Sequence, residues 1–398
     1  MTNIHPVGVN DRHKTLFEGL WPLPFGVSYN AYIIDDEKVA LVDTVEVDFF
    51  SQFIDNVRRV IGDRPIDYII VNHMEPDHSG SLALIKKYYP DAKIVGNKKT
   101  FDMMRGYYNV GNEEDEIVEV KNGDTLSLGT HQLAFTMIPM VHWPETMVTL
   151  DVTEHVLFSG DAFGCFGALN GAFVDSEMNC DVYWNEMQRY YSNIVGKYGP
   201  RGQALLNKAS KIVGLDNIKY ICPLHGPVWR KDLGYIIDKY VHWATYEPEE
   251  KGVMIVYASM YGNTENAAQA LAARLCDKGM SRVALYDVSS THVSQLISEA
   301  FKYSHIVLAS VTYNLGIYPA MHDFLMDMKA LNLQNRTFAI IENGSWAVKS
   351  GDLMQKFVND ELKNMTVLNE RLSLASSMGT DKRTELEALA DAILESMK

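Results

Sequence analysis

The chain is 398 residues long, which favours two or three domains over one. With 47% hydrophobic and 22% charged residues it has the balance of a folded globular protein, which excludes a largely disordered or collagen-like chain. Lys and Arg total 36 against 51 Asp and Glu, a net charge of −15 with no basic block, so nucleic acid and anionic membrane are poor partners.

Residues 1–14 are polar and carry no apolar signal region, and no apolar run approaches the roughly 18 residues of a membrane span. A cytoplasmic location is expected. The four cysteines, Cys165, Cys180, Cys222 and Cys276, form no CxxC pair, which excludes a thiolate zinc knuckle or a rubredoxin-type iron site on these residues. Strand patterns at 31–34 and 39–42 flank the polar turn Asp35-Asp36-Glu37 and read as a hairpin. Further strands are predicted at 68–71, 93–95, 132–136, 147–150 and 156–158, with helical periodicity at 49–61, 81–88 and 182–198. Hairpins mixed with helices predict a layered α+β domain.

The charged segment 246–252, broken by Pro248 and Gly252, reads as a linker. Beyond it the rhythm changes. Strands at 253–258, 283–287, 305–309 and 337–341 alternate with helices at 264–278, 293–303, 319–329 and 383–397, the pattern of a doubly wound parallel sheet. The expected domains are therefore 1–250 and 251–398.

The densest chemistry is Asn72-His73-Met74-Glu75-Pro76-Asp77-His78-Ser79-Gly80, directly after the apolar strand at 68–71. His73, Glu75, Asp77 and His78 are four potential ligands within six residues, on a loop that Pro76 forces to turn. Three more candidates, His142, Asp161 and His225, each follow an apolar stretch close to Gly or Pro. Singly, each reads equally well as a capping Asp or a satisfied loop His. Together they make four histidines and three carboxylates, which suits two metals with two His and one carboxylate apiece and the last carboxylate bridging. Asp161 is the natural bridge. Hard oxygen and borderline nitrogen ligands fit iron or manganese.

This pattern resembles the metallo-β-lactamase fold in its diiron version, that of the flavodiiron proteins. Hydrolytic members of the wider fold usually have a second His where Glu75 stands and bind zinc. The resemblance implies one iron at His73, Glu75 and His142, another at Asp77, His78 and His225, and Asp161 between them. Tyr29, Trp143, Phe163 and Tyr191 are candidate pocket aromatics.

In the second domain Ser259-Met260-Tyr261-Gly262-Asn263-Thr264 lies between a strand and a helix, where hydroxyls, loop N–H groups and a helix N-terminus converge on a phosphate. Neither GxxxxGK[ST] nor GxGxxG is present there, which argues against a nucleotide triphosphatase and a dinucleotide site. The loop resembles the phosphate loop of flavodoxins, which bind FMN. Ser310-Val311-Thr312-Tyr313-Asn314 and Asn343-Gly344-Ser345-Trp346 fall where such a fold clasps the flavin ring. The latter loop departs from the Tyr-Gly-Trp-Gly type run common in the family.

The combined resemblance implies a metallo-β-lactamase-like αββα sandwich followed by a flavodoxin-like sheet, with FMN and two non-haem irons per chain. The implied activity is an oxidoreductase that reduces O2 to water, NO to N2O, or both, for detoxification. It also implies a head-to-tail homodimer or dimer of dimers, and a separate electron donor: rubredoxin, the reduced deazaflavin coenzyme F420 or a reductase. A zinc-dependent hydrolase fused to a flavodoxin-like domain and a non-catalytic electron carrier are the competing readings. The first is disfavoured by Glu75, and the second needs seven ligands to be accidental.

Overall fold

Apolar runs in the first half pair into two sheets in the computed structural model, which describes residues 1, 3–112, 116–212 and 217–398. One sheet has the order Ile4–Pro6, Tyr32–Asp35, Val39–Val42, Tyr68–Ile70, Lys93–Gly96, Ile117–Glu119. The other runs Thr125–Ser127, Gln132–Met137, Met147–Asp151, Val156–Phe158, Tyr220–Cys222. Ile34, Val42, Ile70 and Val95 of the first sheet share one core with Phe135, Met147, Phe158 and Cys222 of the second. The alternate residues Ile33, Leu41, Ile69 and Ile94 are also fully buried, on the outer face beneath helices that include Phe50–Ile61. Strands covered on both faces read as continuous apolar runs, which is why they were visible in the sequence. This is the expected αββα sandwich.

The helix expected over 182–198 is an α-helix only over Asp181–Tyr190, followed by a π-helical turn at Tyr191–Val195 and a 3-10 turn at Gly196–Tyr198. Helix Lys98–Tyr108 was not foreseen; its cap is Asn97, whose side chain accepts from the N–H groups of Lys99 and Thr100.

The chain divides into two compact units, Met1–Val241 and His242–Lys398. In the second, five parallel strands take the order Val283–Asp287, Glu250–Ala258, Tyr303–Tyr313, Thr337–Asn343, Thr366–Leu374. The doubly wound sheet is as expected. Its last strand and the helix Ser350–Glu361 before it had no prediction: Thr366–Leu374 is an edge strand whose polar residues Asn369, Glu370 and Arg371 interrupt the apolar signal. The segment read as a linker is anchored within this unit, where buried Arg336 donates to the carbonyl of Tyr246 at 2.7 Å and Asn332 donates to the Tyr246 hydroxyl at 3.0 Å.

Candidate metal centre

Strand Tyr68–Ile70 lies inside its sheet, and the ligand-rich loop begins two residues beyond its end. Asp43, just past the neighbouring strand, pins that loop: its carboxylate accepts from the backbone N–H of Asn72 at 2.7 Å, the Asn72 side-chain amide at 2.9 Å and the His73 N–H at 3.4 Å. Pro76 then opens the short helix Pro76–Ser79, with Glu75 at its cap position. Strands Gln132–Met137, Val156–Phe158 and Tyr220–Cys222 run in one direction, so the loops after them bring His142, Asp161 and His225 to the same edge.

All four imidazoles present Nε2 to the centre. His73 Nε2 lies 3.3 Å from Glu75 Oε2 and 3.1 Å from Asp161 Oδ2; His142 Nε2 lies 3.1 and 3.0 Å from the same two oxygens. His78 and His225 stand 3.4 and 3.3 Å from Asp77 Oδ2, and 3.6 and 3.8 Å from Asp161 Oδ1. The structure thus groups His73, Glu75, His142 and Asp161 in one cluster, and Asp77, His78 and His225 in another. Asp161 turns one oxygen to each.

The donor set fits a pair of cations. Asp77 and Asp161 are buried carboxylates set among four imidazoles, and Oδ1 of each has no hydrogen-bond partner among the described residues. Buried polar atoms without partners are costly, and carboxylate oxygens most of all. The Nε2 atoms of His78 and His225 also approach to 2.9 Å, a contact in which two lone pairs converge unless one ring donates a proton. Metal ions would accept lone pairs from the carboxylate oxygens and the Nε2 atoms at once.

Burial opposes charge at every member of the cluster. Even so, the charge of His73 and hydrogen bonds from His142 and His73 hold Asp161 well below the usual carboxylate range, and hydrogen bonds from His142 and His73 lower Glu75 in the same way. His142 is correspondingly raised to about 9, and His73 and His225 are raised by their carboxylates. His78 goes the other way: burial, with His225 beside it, brings it down to about 4. The pocket keeps Glu75 and Asp161 ionised and favours positive charge beside them.

Of the expected aromatics, Tyr29 lies 6.3 and 6.1 Å from the rings of His78 and His225, and Trp143 lies 5.3 Å from His73. Phe163 and Tyr191 instead pack on Tyr240 at 4.3 and 4.8 Å. The rings against His225 are Phe17 at 5.3 Å and Tyr190 at 5.5 Å. Sequence reasoning also missed Asp43, Glu145 and Glu18. Glu145 accepts from His73 Nδ1, and Glu18 is raised to about 7 by burial and by the charge of Glu75. A polar residue closing a continuous apolar strand was the available signal for Asp43, and an acid three residues after His142 was that for Glu145.

Of the three segments expected to hold the flavin, 259–264 follows the end of strand Glu250–Ala258 and 343–346 starts on the last residue of Thr337–Asn343, whereas 310–313, expected as a loop, are the last residues of strand Tyr303–Tyr313, and only Asn314 lies beyond it. Ser259 Oγ accepts from Gly262 N–H at 3.1 Å, and Gly262 adopts φ 85° as helix Asn263–Asp277 begins. Thr264 is buried and takes a hydrogen bond at 3.3 Å from Asn343, which ties the first loop to the last. Ser310 is buried, Val311 ends the pairing with Asn343, and Thr312 Oγ1 accepts from the N–H groups of Lys349 and Ser350. Met260, Tyr261, Tyr313 and Trp346 are exposed, next to Asn314 and Ser345. A side chain at Gly344 would place Cβ 1.9 Å from the Ala347 carbonyl, so this tight turn admits only glycine.

Residues 27–226 match the ODP family beta lactamase and residues 255–378 match flavodoxin, which defines the class: a β-lactamase-like domain joined to a flavin-type α/β domain. The chain is 33% identical to the rubredoxin-oxygen oxidoreductase of Megalodesulfovibrio gigas, over 89% of this chain and 87% of that protein. It is equally 33% identical to a nitric oxide reductase of Moorella thermoacetica, over 90% and 88%. The solved rubredoxin oxygen:oxidoreductase of Desulfovibrio gigas superposes with a TM-score of 0.91 at 28% identity, covering 100% of this chain and 97% of that one. The chain belongs to the flavodiiron protein family.

Proposed function

We propose that this chain is an oxidoreductase that reduces O2 to water, NO to N2O, or both, at a diiron centre in residues 1–250 supplied with electrons by FMN in residues 251–398. The names of its relatives cover both reactions. The observation that carries the reading is Asp161, whose two oxygens face separate pairs of imidazoles: Oδ2 lies 3.1 and 3.0 Å from Nε2 of His73 and His142, and Oδ1 3.6 and 3.8 Å from Nε2 of His78 and His225. When bound, two ferrous ions supply one electron each and reduced FMN two, the four that O2 needs to become two waters; two NO need only two to become N2O and water.

The protein's part is to hold and insulate. His73, Glu75 and His142 would hold one iron, Asp77, His78 and His225 the other, and Asp161 both. Phe17, Tyr29, Tyr190 and Trp143 wall the pocket and keep bulk water from it. In the second unit, the loops at 259–264, 310–314 and 343–346 would hold FMN, with backbone N–H groups and the helix start at the phosphate and Tyr313 and Trp346 at the ring. Glu75 in place of a second His supports iron over the zinc of a hydrolase.

A rubredoxin-type protein is the proposed donor, in keeping with the names of the relatives, and the deazaflavin coenzyme and a reductase are the alternatives to assay beside it. A head-to-tail dimer would bring the FMN of one chain to the irons of its partner. No helix among the described residues is long and apolar enough to cross a membrane, and the proposed location is the cytoplasm. Metal and flavin analysis of anaerobically purified protein, followed by O2 and NO turnover with reduced rubredoxin, tests the reading. About two irons and one FMN per chain with turnover are expected; zinc that persists after growth in iron-replete medium, with no turnover, overturns it.

A further inference from the structure

The four imidazoles face the centre alike, but what stands behind them differs. His73 Nδ1 lies 2.9 Å from Oε1 of Glu145, a carboxylate only 1% exposed. His225 Nδ1 donates to the backbone carbonyl of Ser28 at 2.7 Å. His78 Nδ1 is buried with no hydrogen-bond partner. One ring is backed by a full negative charge, one by a dipole and one by nothing. The ring backed by charge, His73, belongs with Glu75 and His142, whereas His78 and His225 belong with Asp77.

Glu145 is also fixed in place. The oxygen that faces His73 accepts the Met74 N–H at 2.9 Å, and its own backbone carbonyl accepts from Asn97 at 2.5 Å. A carboxylate behind an imidazole locks the ring's orientation and makes the opposite nitrogen a stronger donor, typically worth 10- to 100-fold in metal affinity. Resting on the diiron reading of this site, we infer that Glu145 is a positioning residue that acts through His73 to make the two metal positions unequal. The position bounded by His73, Glu75 and His142 binds its metal more tightly and holds the higher oxidation state more readily.

The test is ferrous iron release to a chelator from the full-length protein under anaerobic conditions, with Mössbauer spectra of the loaded protein. Glu145→Gln keeps the volume and an acceptor for Met74 but removes the charge. Wild type is expected to release iron in two phases and to show two distinguishable iron environments. In Glu145→Gln the tight phase weakens by about 10-fold, the other is unchanged, the two environments converge, and FMN content is retained. Equal weakening of both phases would make Glu145 a loop anchor only, and no change would show that nothing passes through His73; either result overturns the inference while leaving the iron pair intact. Wild-type protein that retains no iron pair would instead remove the diiron reading, and this inference with it. Should Glu145→Gln fail to fold, Glu145→Asp withdraws the charge from Nδ1 by one methylene, and the same selective weakening is expected.

Discussion

None of the seven residues of the metal centre is more than 7% exposed, whereas Tyr261 and Trp346 of the proposed flavin loops are 88% and 76% exposed. The two regions therefore prepare for their cofactors differently. In the first, three carboxylates are held in a desolvated pocket whose strands, caps and backing hydrogen bonds fix them in advance. In the second, the polar residues Thr264, Thr312 and Asn343 are spent on tying loops together, and the aromatic faces stand ready for a planar ring. Rigid preorganisation suits ions that tolerate little displacement. Exposed aromatic faces would suit a flat group held by area and by one phosphate.

The sharpest way to separate the regions is Asp161→Ala. Loss of the shared carboxylate is expected to cost both irons and at least about 100-fold in turnover, while FMN content stays the same, measured by elemental analysis and released-flavin fluorescence on one sample. Loss of the flavin as well would contradict the independence of the two units. Next, Glu75→His should shift retained metal from iron toward zinc and lower turnover by roughly 10-fold; unchanged iron content and rate would deny Glu75 its selecting role. In the second unit Thr264→Ala should weaken FMN by about 10-fold, some 1.4 kcal/mol, read by flavin titration of the apoprotein, because the change removes a hydroxyl from the helix start and with it the hydrogen bond that ties Asn343 to the first loop. An undiminished affinity would remove Thr264 from the flavin site.

The smallest effect is one of pH on the second unit. His305 is buried, with its ring nitrogens 2.8 and 2.9 Å from the hydroxyls of Ser304 and Ser396, and burial lowers it from 6.5 to about 4. The unfolded chain then binds more protons than the folded one between these values. Stability is complete above pH 6.5 and falls as the pH drops toward 4, by about 1 kcal/mol between pH 7 and 5.5. His305→Gln should flatten that slope in denaturant titrations followed by flavin fluorescence. An unaltered slope would place the pH dependence elsewhere.

The same contrast decided what could be read from the sequence. His73, Glu75, Asp77 and His78 are adjacent in the chain, so their grouping was visible before any fold; His142, Asp161 and His225 were legible as loop residues after apolar strands, and the parallel run of those strands explains why they meet. Asp43 and Glu145 carried only a weak local signal, because the groups they hold, Asn72 and His73, lie 29 and 72 residues away in the chain, and Tyr190 reaches His225 from a helix with no local signal at all. The edge strand Thr366–Leu374 was missed for a related reason: half-exposed, it carries Asn369, Glu370 and Arg371, and its apolar pattern is too sparse to stand out. Strands buried on both faces announced themselves; the one at the margin did not.

Arg336 has a practical consequence for cutting the chain. The residue is 1% exposed, the acceptors of its guanidinium among the described residues are backbone carbonyls, those of Tyr246, Ala300, Phe301, Gln334 and Asn335, and burial pushes it down to about 9. A fragment started at Lys251 loses the Tyr246 oxygen and leaves a sequestered cation one acceptor short, whereas one started at His242 keeps it. The scissors belong upstream of the charged stretch that looked like the seam, since that stretch is the strap on which the flavin-type unit closes its own positive charge.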